Sequence, residues 1–197
     1  MKNLKIKDVM TIGVYAALYF VCVGLGTLIG VVIIHSGNMM LVPAFTALLA
    51  GTVYFVLIDK VPKFGALTMV GIVMSCFFFL SGHFILSFVP SLLCGILGDG
   101  IALLGKYKSK WLNLLSYIVF SFGNLGPIIL MWVMRDAYID RLLDKGKDWT
   151  YINNVMVDFT FDNVFYLSAT IIIGAVIGGL FGQYMLNKHF KKAGLAR

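Results

Sequence analysis

The sequence predicts an all-α integral membrane protein of six transmembrane helices, and three observations predict it. Hydrophobic residues fill 60% of the 197 positions and mean hydropathy is +0.92, far outside the range of soluble domains. The apolar residues gather into six stretches, 9–34, 39–58, 64–80, 84–104, 111–134 and 163–186. A helix needs about 20 such residues to cross the roughly 30 Å hydrocarbon layer. The basic residues are sorted between the gaps. The first, third, fifth and seventh flanks hold Lys2, Lys5 and Lys7; Lys60 and Lys63; Lys106, Lys108 and Lys110; and Lys188, Lys191, Lys192 and Arg197. The second and fourth hold none, and the sixth holds Arg135, Arg141, Lys145 and Lys147. Short loops rich in Lys and Arg stay in the cytoplasm, which places both termini there. Little is left over for a soluble domain, so residues 1–197 are expected to form a single membrane domain.

The first stretch is too long for a signal peptide and lacks a small-residue cleavage site, so it is expected to remain as a helix. It carries Gly13, Ala16 and Ala17 on adjoining faces, then Gly24, Gly26 and Gly30. Gly13 with Ala17, and Gly26 with Gly30, have the four-residue spacing that lets a second helix approach closely in lipid. His35 to Asn38 is a short outer turn, and 39–58 returns to the inner face. Pro62 stops the inner turn. The nearly continuous apolar run 64–104 is expected to break at Ser81-Gly82-His83, with Pro90 about two turns inside the fourth helix as a kink. Asp99 lies near the inner end of that helix, within about a turn of Lys106, its expected partner.

The fifth stretch contains Gly123-Asn-Leu-Gly-Pro127. A Gly/Pro interruption in mid-membrane frees backbone polar groups, which are tolerated only against protein or a water-lined cavity. This marks a site within the bilayer. Residues 135–162 form the one long polar segment, with Asp136, Asp140, Asp144 and Asp148 every four residues; a short helix from about Arg135 to Lys145 is expected. Loops this long tend to be binding segments or lids. The sixth stretch carries Gly174, Gly178, Gly179 and Gly182 as a close-packing stripe.

No phosphate-cradling GxxxxGK[ST], HExxH or GxSxG occurs. No catalytic residue, cofactor or ATP hydrolysis is expected, so energy for any pumping comes from elsewhere. The three cysteines fall within spans at no metal-ligand spacing, and His35 with His83 lacks a third ligand; no metal site is expected. The net charge of +7 follows from the inner-face bias and calls for no nucleic acid. The candidate substrate contacts gather at the outer side: His35, Asn38, His83, Asn124, Trp132, Arg135, Tyr138, Asp158, Asp162, Asn163 and Tyr166. Aromatic faces with a few charges and amides suit a ring-containing or zwitterionic small molecule.

Three segments carry a family resemblance: Lys5-Ile-Lys-Asp-Val-Met-Thr-Ile-Gly-Val-Tyr-Ala-Ala-Leu-Tyr-Phe20, Lys63-Phe-Gly-Ala66 and Lys188-His-Phe-Lys-Lys-Ala-Gly-Leu195. The chain resembles Trep_Strep or MptD-type substrate-binding (S) components of energy-coupling-factor transporters, nearly end to end. The resemblance implies a six-helix bundle in the bacterial cell membrane that captures a vitamin or vitamin precursor at the outer face. It would then dock on a transmembrane scaffold (T) subunit carrying two ATPase subunits. In similar proteins an Ala-x-x-x-Ala face on the first helix meets the scaffold. Gly13 and Ala17 match that spacing, with Gly for the first Ala and Ala16 beside them. The pocket in such proteins lies in the outer half, under the loops between helices one and two and between five and six. The alternative is a stand-alone ion-coupled carrier for a small polar nutrient, with Asp99 as its one candidate coupling group. A hydrolase of lipid-linked substrates would need a nucleophile and base that the sequence does not pair.

Overall fold

The computed structural model describes residues 4–33, 39–80, 85–190 and 192–193, and these are helical apart from short turns and irregular connections. Helix α1 spans Ile6–Ile33, α2 Val42–Lys60, α3 Ala66–Leu80 and α4 Phe88–Leu104. Helix α5 (Lys110–Ser121) passes through a 3₁₀ turn, Phe122–Leu125, into α6 (Gly126–Val133). Two short helices follow, α7 (Arg135–Asp144) and α8 (Trp149–Val155), and then α9 (Phe161–Met185), which ends in a π turn at Leu186–Phe190. Among the described residues, four stretches are long and apolar enough to cross a membrane: Ile6–Ile33, Val42–Lys60, Lys110–Val133 and Phe161–Phe190. Helices α3 and α4 are apolar but shorter, 15 and 17 residues, and rise about 23 and 26 Å.

Helix α2 occupies the middle of the bundle, with α1 and α9 packed along it. Glycines decide how closely. A Cβ added at Gly51 would lie 1.9 Å from the Gly178 carbonyl oxygen, and one at Gly174 would lie 2.4 Å from that of Ala44. The glycine stripe of α9 therefore meets α2 backbone to backbone, as its spacing suggested. On α1, Gly26 and Gly30 serve the same purpose against Thr46 and Val42 of α2. Helices α3 and α4 meet at Gly71 and Gly95. Without a hydrophobic force between helices in lipid, such contact is what holds a bundle together.

An aromatic cluster of Tyr19, Tyr54, Phe55, Tyr117 and Phe120 fills the centre. Its hydroxyls are paired: Tyr54 with Ser116 Oγ at 2.5 Å, Ser116 with the Gly98 carbonyl at 2.5 Å, and Tyr117 with the Ala47 carbonyl at 2.5 Å. At the lysine-rich end, the Lys63–Asp8 ion pair (2.5 Å) ties the start of α1 to the α2–α3 turn.

Two expectations about α4 are corrected. Pro90 does not kink the helix interior, because a 3₁₀ turn at Ile85–Ser87 delays the α-helix to Phe88. Proline then falls in the first turn, where its missing N–H has no partner to lose. Asp99 does not pair with Lys106. Its Oδ2 accepts from the backbone N–H of Gly65 (2.8 Å) and Thr68 (2.9 Å) and from Thr68 Oγ1 (2.8 Å), while Tyr107 donates to Oδ1 (3.1 Å). The carboxylate thus caps the start of α3, satisfying N–H groups that a helix leaves open. Lys106 and Tyr107 have left-handed φ of 50° and 58°, which turns the chain so that the phenol reaches back under α4. Burial and the Asp99 charge push the Tyr107 phenol up, so it remains a donor.

Candidate functional site

The expected interruption in the fifth stretch is present. Pro127 cannot donate and sits in the first turn of α6, so the chain tightens into the 3₁₀ turn Phe122–Leu125 before it. The freed carbonyl of Gly123 accepts from Ser91 Oγ at 2.7 Å, and Gly126 lies against Ser87, where a Cβ would come within 2.3 Å of its carbonyl oxygen. Asn124 is buried and donates through Nδ2 to Tyr19 Oη at 2.8 Å. Tyr19, Met74, Ser91, Phe120 and Asn124 surround a cavity of about 10 Å³, room for about one water. The polar interior at mid-depth is thus shared by α1, α3, α4 and the interrupted helix.

A second group lies where α6, α7 and the start of α9 meet. Residues 156–160, between α8 and α9, cross this end as an extended strap. Val157 is its anchor: its N–H points to Met131 Sδ at 3.4 Å, and its carbonyl accepts from Trp132 Nε1 at 3.1 Å. The Val157 side chain packs with Met40, Ile128, Met131, Leu167 and Ile171. Phe159 meets the Trp132 ring edge-on at 5.3 Å. Beside it Arg135 Nη1 donates to Asp158 Oδ1 at 2.6 Å, and Asn163 Nδ2 donates to the Asp158 carbonyl at 2.8 Å. Tyr138 is half-buried against this cluster, and burial pushes its phenol up.

Trp132, Arg135, Tyr138, Asp158 and Asn163 are therefore brought together as expected, while Asn124 sits apart from them, deeper in the bundle. Asp162 is exposed in the first turn of α9, where a negative charge suits the helix dipole. Tyr166 is 49% exposed and its neighbour Phe165 65%. Such exposure suits an interfacial aromatic and a pocket wall alike. His35, Asn38 and His83 lie outside the described residues. The docking triplet also splits. Gly13 and Ala17 are exposed, and a Cβ at Gly13 would meet nothing within 4 Å. Ala16 is 2% exposed and belongs to the core, so it cannot face a partner. Among the described residues, no group of three or more His, Cys, Asp or Glu could hold a metal ion.

The layout is that of a polytopic helical membrane protein with polar groups stitched across an interrupted span. The family described as "Hypothetical bacterial integral membrane protein (Trep_Strep)" matches residues 6–192. The chain belongs to the Trep_Strep family. No curated protein and no solved structure matches this Trep_Strep chain.

Sequence reasoning missed Tyr19, Ser91 and Val157. Ser91 had a signal, a hydroxyl next to Pro90 in an apolar run. Tyr19 and Val157 had none, because their partners lie far along the chain.

The Arg135–Asp158 pair is open to solvent, with side chains 47% and 70% exposed. Exposed pairs contribute about 0–1 kcal/mol. Arg135→Ala should therefore leave the melting temperature within about 3 °C of wild type, while amide exchange of residues 157–160 in the Trep_Strep chain speeds up. Unchanged exchange there would show that the pair does not hold the strap.

Proposed function

We propose that this Trep_Strep protein is the substrate-capture subunit of an energy-coupling-factor importer, with six crossings, both termini cytoplasmic and the strap facing outward. The substrate class is a vitamin or precursor with a ring or a zwitterionic centre. One observation carries the proposal: α1 holds Tyr19 against Asn124 at the interrupted span while presenting a bare Gly13–Ala17 face outward. A ligand that displaces the Tyr19–Asn124 bond acts on the same helix that would meet a scaffold. Capture and docking then share one rigid element, and ligand binding biases the protein between free and docking-competent arrangements.

The cavity at Asn124 is far below the roughly 300 Å³ or more of a small-molecule site. Ligand entry therefore requires the strap to lift from Met131 and Trp132 and α1 to move from α3 and α6. The exposed latch at Arg135 and Asp158 supports a strap that releases at low cost. A stand-alone carrier, by contrast, needs a carboxylate free to exchange its charge. Asp99 is held by four donors in a structural cap, which leaves that reading without its coupling group.

The proposal is tested by a thermal-shift screen of the purified chain against vitamins and their precursors. A true ligand at a hundredfold its Kd stabilises by about 2.7 kcal/mol, a rise of roughly 5–10 °C; no response across ring-containing and zwitterionic compounds would count against capture. Docking has its own test. Gly13→Leu meets open space, so the melting temperature should hold, while co-purification with a scaffold–ATPase complex should fall at least tenfold, on the order of 1.4 kcal/mol. Full retention of the complex would remove α1 as the docking helix.

A further inference from the structure

At the lysine-rich end, a groove of about 540 Å³ runs between the end of α2, the α4–α5 turn, the start of α5 and the end of α9. Lys106, Lys108 and Lys110 line it together with Asp59, Asn113 and Gln183. A shallower depression adjoins it, sharing Lys110, Gln183 and Asn187 and adding Tyr184, Lys188 and Lys192. Five lysines therefore border one continuous surface whose linings include a single carboxylate, Asp59. The surface is built rather than incidental. Gln183 Nε2 donates to the Lys110 carbonyl at 2.9 Å, which fixes α9 to the start of α5. Lys188 donates to Tyr184 Oη and lies 4.9 Å over its ring.

Asn113, in the groove wall, carries an unmatched acceptor. Asn113 is 7% exposed, and its Nδ2 donates to the Tyr107 carbonyl at 3.1 Å. Its Oδ1 is buried and has no hydrogen-bond partner. Buried polar atoms are nearly all paired in native proteins, and an exception calls for an explanation such as a bound group. A donor belongs there, beside a field of lysines that calls for an anion.

We propose that this groove binds the phosphate of an anionic phospholipid headgroup, with a headgroup hydroxyl donating to Asn113 Oδ1. Phosphate supplies the charge that the lysines attract, and a glycerol headgroup supplies the hydroxyl. The bilayer is the source, because the lipid-facing surface runs directly into the site. Ile177, Leu180 and Tyr184 of α9 are 53%, 49% and 51% exposed, and Trp111 at the start of α5 is 78% exposed. Acyl chains can lie along this surface while the phosphate reaches Lys110 and Lys188. Basic pockets between transmembrane helices hold lipid headgroups in this way. The site stands apart from the strap and from the Gly13–Ala17 face, so it does not depend on substrate capture.

The test is native mass spectrometry of the purified full chain, titrated with dioleoylphosphatidylglycerol, dioleoylphosphatidylcholine and soluble glycerol 1-phosphate. Phosphatidylglycerol should bind at least tenfold more tightly than phosphatidylcholine. Each surface lysine contributes about fivefold to such binding, so K108Q/K110Q should weaken it about 25-fold and leave phosphatidylcholine unchanged. K188Q/K192Q, at the outer rim, provides a second variant should the first fail to fold, with a loss of the same order expected. Equal affinity for the two lipids, or phosphatidylglycerol binding unchanged in the variants, would overturn the proposal. Binding of glycerol 1-phosphate as tight as that of the lipid would overturn the bilayer as its source.

Discussion

Asp99→Ala is expected to lower the melting temperature of the purified protein by about 10 °C. The carboxylate is fully buried and accepts from two backbone amides, a hydroxyl and a phenol. Each buried donor left without an acceptor costs about 1–3 kcal/mol, and partial relaxation brings the total to about 4 kcal/mol. At roughly 2–4 °C per kcal/mol for a chain of this size, that shift is easily measured. Asp99→Asn should lose much less, because its amide oxygen can take the Oδ2 position and accept from Gly65 and Thr68 while its NH₂ faces the Tyr107 hydroxyl, which can accept. Thr68→Val and Tyr107→Phe each remove one donor to the same carboxylate and should cost about 1 kcal/mol apiece. An Asp99→Asn protein of wild-type stability that nonetheless fails in uptake would restore Asp99 as a coupling group.

Gly51→Ala is expected to cost about 3 kcal/mol or more and to reduce the yield of folded protein sharply. Overpacking of a well-filled interior ordinarily costs about 1–3 kcal/mol. Here the added methyl has no flexible neighbour to displace. It would lie 1.9 Å from the Gly178 oxygen and 2.4 Å from its carbonyl carbon, both backbone atoms of α9. Helices α2 and α9 must separate, and the contacts at Gly174, Gly178 and Gly182 loosen with them. Close packing is the main force joining helices in lipid, so the loss spreads along the stripe. Gly24→Ala is the matched control. It meets nothing within 4 Å and removes a poor helix former, so it should be neutral or stabilise by up to about 1 kcal/mol. Equal effects of the two substitutions would refute the α2–α9 contact.

Properties written in local composition were legible in the chain. The apolar runs gave the helices, Gly123 to Pro127 gave the interruption, and the four-residue Asp spacing gave α7, which ends at Asp144 where Lys145 was expected. The glycines of α9 gave its packing face because glycine has few other uses in a long apolar helix. Long-range pairings left no such trace. Asp99 finds its partners 31 and 34 residues away, in a segment whose N-terminal amides carry no sequence signature. Tyr19 and Asn124 are 105 residues apart, and nothing in either neighbourhood names the other. Adjacent small residues were legible as a set but not by direction: one step of helix turns Ala16 into the core and leaves Ala17 outside. The strap was hidden because Val155 to Val157 is a short apolar run in a polar segment, with too few residues to show a period.

The orientation of residues 135–160 decides whether a nutrient can be captured from outside, and cysteine labelling tests it most directly. Cys22, Cys76 and Cys94 would be replaced by alanine and a single cysteine placed at Asp144 or at Lys192, both exposed. With a membrane-impermeant maleimide on intact cells, the account predicts labelling at position 144 and labelling at position 192 only after permeabilisation. Labelling at 192 with protection at 144 would contradict it, because the strap and its cluster would then face the cytoplasm.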